Sequence, residues 1–243
     1  MSGGRLVFSL PDCGSRGLAG LLDAHPALHC FQGPFDPDVP DPTGRRTAAP
    51  NLGSVDAVLD GIWARWPVIA HVWTPAGWPF ARHSPLNGHV LLRASHVVLL
   101  SRRNLLALAV SHALASPRGR ESAGGDGPGP LDLAAIAWML KQISPTLRTH
   151  RRVLYVRDRP LLDLEYEQLF GPGLDLEARR EALERVFAFF GHGTGDDGVD
   201  RDAIARILDT AHASASVRPW ERVPNIGEIE SALGSDETGW LLR

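Results

Sequence analysis

Lysine is almost absent from this chain of 243 residues: Lys141 is the single lysine, and arginine supplies every other basic side chain apart from histidine. A phosphate loop of the G-x-x-x-x-G-K-[ST] type closes on a lysine, so none can lie near the amino terminus. Any phosphate site must therefore use arginine, backbone amides or hydroxyls. Cysteine is scarce as well. Cys13 and Cys30 are too few for a disulfide framework and lack metal-ligand spacing, which leaves them as small, mostly apolar side chains. No apolar run approaches the roughly 20 residues needed to cross a bilayer. Met1-Ser2-Gly3-Gly4-Arg5 leads into a strand-like run without the features of a secretory signal, so a reducing cytoplasm is the expected location. The formal net charge of −3 gives no basic field, which argues against a nucleic-acid partner.

What is present fits one domain over 1–243, with 44% apolar and 22% charged residues. Leu6 to Leu10 reads as a buried strand, and Ser15 to Ala24 as a helix with Leu18, Leu21 and Leu22 on one face. Further strands are expected at Val68–Trp73 and Val97–Leu100, with a short one within Leu161–Leu169. Helices are expected at Val55–Trp66, Asn104–Ala115, Leu131–Arg148, Glu177–Phe190, Ala203–Ala213 and Ile226–Leu233. Pro34–Pro50 and Trp73–Asn87 read as loops. Ser116–Pro130, with five glycines and three prolines, reads as a flexible loop. Strands alternating with helices imply an α/β fold: a central parallel sheet with helices on both faces.

Two segments carry phosphate chemistry. In Leu10-Pro11-Asp12-Cys13-Gly14-Ser15-Arg16-Gly17 a strand turns into a helix. The amides at that helix start favour an anion, Gly14 and Gly17 allow close approach, and Ser15 and Arg16 offer a hydroxyl and a charge. Equally, Ser15 could be an ordinary helix cap. In the second segment, His96 to Ser101 ends in Arg102 and Arg103, and Ser111 follows Arg103 by eight residues across an apolar run. That spacing can turn a guanidinium and a hydroxyl toward one phosphate. Arg102 offers an alternative register, and a solvated arginine pair beside a surface serine is the plain alternative.

The second segment resembles the one with which sulfotransferases hold the 3′-phosphate of their donor, 3′-phosphoadenosine-5′-phosphosulfate (PAPS). Leu21-Leu22-Asp23-Ala24-His25-Pro26 resembles the continuation after the 5′-phosphosulfate loop of bacterial carbohydrate-type sulfotransferases, the class that includes Nod-factor enzymes. Tyr166-Glu167-Gln168-Leu169, with Leu183 to Gly191, is similar to a largely structural run of that family. Arg218 to Ile229 is similar to its nucleotide-closing tail, where Arg218 or Arg222 could reach the 3′-phosphate and Trp220 could stack on a ring or lie buried. The resemblance implies a P-loop-like sulfotransferase fold. It also implies that Cys13, Gly14, Ser15, Arg16, Gly17, Arg103, Ser111, Arg218 and Arg222 bind PAPS, with 3′-phosphoadenosine-5′-phosphate (PAP) as product and no metal.

The sequence also departs from the family pattern. The first loop of such proteins usually reads Pro-Arg-Ser-Gly-Ser-Thr; here Asp12, Cys13 and Arg16 replace the arginine, first serine and threonine. Where relatives carry Gly-Glu-Pro-Phe this chain has Gln32-Gly33-Pro34-Phe35, and glycine cannot take a proton. His71 and Asp36 are the substitute bases, with His29 a further alternative. The expected activity is sulfuryl transfer to a hydroxyl of a small molecule or carbohydrate. The acceptor pocket would be lined by Trp73, Trp78, Phe80 and Trp138, aromatics that could equally meet core or the second copy of a homodimer. The alternative is a degenerate member that binds a nucleotide or partner without turnover. A kinase is disfavoured by the missing loop lysine, and Gly195–Asp200 lacks the ligand spacing of a calcium loop.

Overall fold

The computed structural model describes residues 4–33, 52–73, 84–115, 128–171, 173–196, 198–215 and 219–242. The strands are β1 (Arg5–Ser9), β2 (Cys30–Gln32), β3 (Val68–Val72), β4 (His96–Ser101) and β5 (Leu161–Glu165). They form one parallel sheet in the order β2-β3-β1-β4-β5. The helices are α1 (Ser15–Asp23), α2 (Leu52–Trp63), α3 (Ser84–Arg93), α4 (Leu105–Ala115), α5 (Leu133–Val156), α6 (Tyr166–Phe170), α7 (Leu176–Phe189), α8 (Arg201–Ala215) and α9 (Ile226–Leu233), with a 3-10 turn at Pro219–Arg222. Among the described residues no helix is long and apolar enough to cross a membrane.

Leu6 to Ser9 and Val97 to Ser101 are buried without alternation, as strands covered on both faces require. Ser9 stands opposite Val72 on β3 and Leu100 on β4, so the carboxyl ends of the three central strands lie flush. Parallel α/β sheets place their ligands at that end. On one face α1 packs on β2 and β3 through a buried leucine stripe, with α8 beyond it. On the other face the Phe8 ring meets His150 of α5, and α5 packs on α3 and α4.

The structure departs from the sequence reading at β2, α3 and α5, and α6 follows β5 inside the stretch expected to hold a short strand. β2 is a three-residue edge strand, too short for periodicity to reveal. α3 begins inside the stretch read as a loop. Its Ser84-Pro85 start is a helix signal, since proline suits a first turn, but Asn87 and Gly88 mask it. α5 runs past Arg148 to Val156 despite Pro145. Its buried stripe of Ile136, Met139, Ile143, Leu147, His150 and Leu154 continues through the proline, and core packing outweighs the lost amide. Residues 116–127 of the Gly/Pro-rich segment lie outside the described residues.

Candidate functional site

The loop after β1 reaches α1 through two left-handed residues, Asp12 with φ 53° and Gly14 with φ 80°. Gly14, not Ser15, is the N-cap of α1, and no side chain caps the helix. Its first amides therefore point out of the carboxyl end of the sheet. Ser15 is half-buried and Arg16 exposed. Cys13 is fully buried, and that burial holds its thiol well above the usual range. Phe170 of α6 occupies the space beside both glycines: a Cβ would lie 2.6 Å from its ring at Gly14 and 3.0 Å at Gly17.

Arg102 and Arg103 leave β4 in opposite directions. Arg102 lies inward, its guanidinium carbon 4.8 Å over the Tyr166 ring and 5.9 Å over Trp220. Its Nη1 donates to the carbonyl of Asp12 at 3.4 Å, tying β4 to the first loop. Its Nε is buried with no partner among the described residues, 3.9 Å from Glu167 Oε1. Arg103 is 69% exposed and donates from Nε to Glu165 Oε2 at 3.0 Å, and Glu165 raises its pKa.

The turn between them is fixed by residues that sequence patterns did not single out. Glu167 accepts from the amides of Arg103 at 2.8 Å and Asn104 at 3.1 Å, so a carboxylate sits at the start of α4. Asn104 accepts from Ala107 N at 2.9 Å as the helix cap and donates to the Trp240 carbonyl at 2.6 Å. Asn104 before an apolar run was a readable cap signal. The acidic pair needed the fold to bring β5 beside β4. On α4, Ser111 is half-buried, and His112 Nδ1 lies 3.9 Å from Asp12 Oδ2. Asp12, repulsive toward a phosphosulfate, thus faces a histidine.

Trp220 is buried, and its indole donates to the Leu241 carbonyl at 3.2 Å; it packs under Arg102 and is not an open stacking surface. Arg222 is exposed on the 3-10 turn, which packs on α4. Arg218, Asp36, Trp78 and Phe80 lie outside the described residues.

His71 is 1% exposed, on the face of the sheet that carries α5. Its Nε2 lies 3.0 Å from Asn87 Oδ1 and its ring 5.7 Å from Phe8. Trp73 stacks on Phe8 at 5.4 Å and meets His150 edge-on at 4.4 Å. Trp138 stands twelve residues before His150 on α5, about 18 Å along the helix axis. The structure therefore does not gather Trp73 and Trp138 around one pocket. Gly33 has φ 62°, a conformation that would strain a glutamate.

At the opposite end of the sheet, His25 Nε2, His192 Nδ1 and one oxygen of Asp196 lie within 4.8 Å of one another. His25 Nδ1 accepts from the Ala27 amide at 3.1 Å, which leaves the proton of the neutral ring on Nε2, aimed at Asp196 Oδ2 at 3.2 Å. A metal at Nε2 would have to displace that proton. The His25–Asp196 hydrogen bond holds Asp196 to the end of α1, with His192 Nδ1 3.6 Å from the same carboxylate oxygen.

No family model and no curated protein matches the sequence. Among solved structures, the chain is similar to mouse sulfotransferase SULT7A1 complexed with PAP, at 11% identity and a TM-score of 0.44. The alignment covers 88% of this chain and 66% of the mouse protein, just under two thirds of its length, and it does not assign the chain to a family.

Proposed function

We propose that this protein is a PAPS-dependent sulfotransferase acting on a hydroxyl of a small molecule or carbohydrate, as one domain in the cytoplasm. One observation carries the reading: the two phosphate-type segments converge at the carboxyl ends of adjacent β1 and β4, joined by the contact from Arg102 to Asp12. The amides at the start of α1, with Cys13, Gly14, Ser15, Arg16 and Gly17, would hold the phosphosulfate. Arg103 and Ser111 would hold the 3′-phosphate, with Arg218 or Arg222 closing from the tail, and Glu165 must share or release Arg103.

In the reaction the acceptor oxygen bonds to sulfur as the sulfur–phosphate oxygen bond breaks. PAP leaves with the electron pair, and the acceptor proton passes to a base, for which His71 and Asp36 are the sequence candidates. Positioning and charge stabilisation supply most of the catalysis in such transfers, as in phosphoryl transfer. The test is transfer of radiolabelled sulfate from PAPS to a panel of phenols, alcohols and sugars, with PAP binding measured in parallel. Transfer supports the reading, and absence of PAP binding by the folded protein contradicts it.

A second reading is a nucleotide-binding protein without turnover. The left-handed Gly33 and the Arg103–Glu165 pair favour it. PAP binding without transfer to any acceptor is its expected signature.

A further inference from the structure

Among the described residues four buried side-chain polar atoms lack a hydrogen-bond partner, Ser9 Oγ, Arg102 Nε, Trp73 Nε1 and His150 Nδ1, and the last two lie together. Trp73 is 0% and His150 9% exposed, and their rings meet edge-on with centroids 4.4 Å apart. Native proteins rarely leave buried donors and acceptors unpaired, and each such atom marks a bound water, a ligand or a functional role. The pair sits at the carboxyl end of β3, beside the Phe8 ring, where a parallel sheet takes its ligand. The two atoms are also complementary. An indole N–H can only donate, and in the tautomer that carries its proton on Nε2 the neutral His150 ring can only accept at Nδ1. Burial lowers the pKa of His150 to about 4, so the ring is neutral near pH 7.

We infer that Trp73 Nε1 and His150 Nδ1 together receive the hydroxyl of the acceptor, the indole donating to its oxygen and the imidazole accepting its hydrogen. The inference rests on the sulfotransferase reading and supplies it with a base on α5 in place of the missing glutamate at position 33. In that role the acceptor O–H bond breaks, its proton ends on His150 Nδ1, and its oxygen bonds to the sulfur of PAPS as PAP leaves.

A matched pair of probes tests this: 2-naphthol, and naphthalene, which has the same shape without the hydroxyl. By calorimetry on the full chain, 2-naphthol is expected to bind at least about tenfold tighter than naphthalene, because a site built to bond a hydroxyl rejects an analogue without one. Trp73→Phe and His150→Phe keep the rings and should each erase that difference while leaving PAP affinity unchanged. In the wild type, NMR of the histidine ring nitrogens should show the His150 signals shift with 2-naphthol and stay still with naphthalene, a readout that needs no variant. Equal binding of both probes, binding of neither, or unmoved His150 signals overturns the inference and leaves the unmatched atoms to a buried water. Loss of PAP binding in the wild type would instead strike the donor reading, since hydroxyl discrimination is measurable without PAP.

Discussion

Arg103 and Glu165 bridge the carboxyl ends of β4 and β5, with the arginine Nε 3.0 Å from the glutamate oxygen and 69% of the arginine side chain exposed. An exposed pair of this kind contributes only about 0–1 kcal/mol to stability. An incoming phosphate can therefore displace Glu165 at small cost. Glu165→Gln removes the competing charge and is expected to tighten PAP binding by about two- to fivefold, in the range of one exposed ion pair. Calorimetry at low salt checks it, and weaker binding would mean that Glu165 orients Arg103 for its ligand.

Arg102 is expected to behave differently from its neighbour. It packs between Tyr166 and Trp220 and reaches the Asp12 carbonyl. Arg102→Ala should lower unfolding free energy by about 1–3 kcal/mol through lost packing and the lost hydrogen bond to the Asp12 carbonyl. Arg103→Ala should change it by less than about 1 kcal/mol. Urea unfolding of both variants measures the contrast.

Gly14 is constrained twice, by φ 80° and by the Phe170 ring. Gly14→Ala should destabilise by about 1–3 kcal/mol. Adding Phe170→Ala relieves the clash and leaves the left-handed strain, so the double variant should fall short of additivity. A fully additive loss would show that the ring contact does not limit this position.

His150 makes stability depend on pH. Its folded pKa lies at about 4, below the ordinary 6.5, so between those values the unfolded chain binds the extra proton and stability rises with pH. On acidification from pH 7 to pH 4.5 the wild type should lose about 2–3 kcal/mol more than His150→Phe. Equal losses in urea titrations at the two pH values would contradict the burial argument.

These residues also mark what could be read from the chain. The buried runs of β1, β3 and β4 and the leucine stripe of α1 announce a covered parallel sheet, because burial on both faces leaves no other pattern. The loop at Gly14 and the arginine pair are legible as local signals. Which arginine turns inward is not, because Glu165 at the end of β5 and Glu167 on α6 decide it from more than sixty residues away in sequence. Nor is the meeting of Trp73 with His150, which depends on α5 continuing past Pro145. Gly33 looks like a lost glutamate in the sequence, and its backbone conformation shows why glycine suits the site.

Calorimetric titration of the folded protein with PAP, in the wild type and in Arg103→Ala, tests the central claim most directly. Saturable one-to-one binding is expected, weakened about tenfold or more by the substitution, as the loss of a charge-assisted contact of roughly 1.5–3 kcal/mol requires. No binding by the wild type would contradict the claim that the carboxyl ends of β1 and β4 hold a 3′-phosphorylated nucleotide.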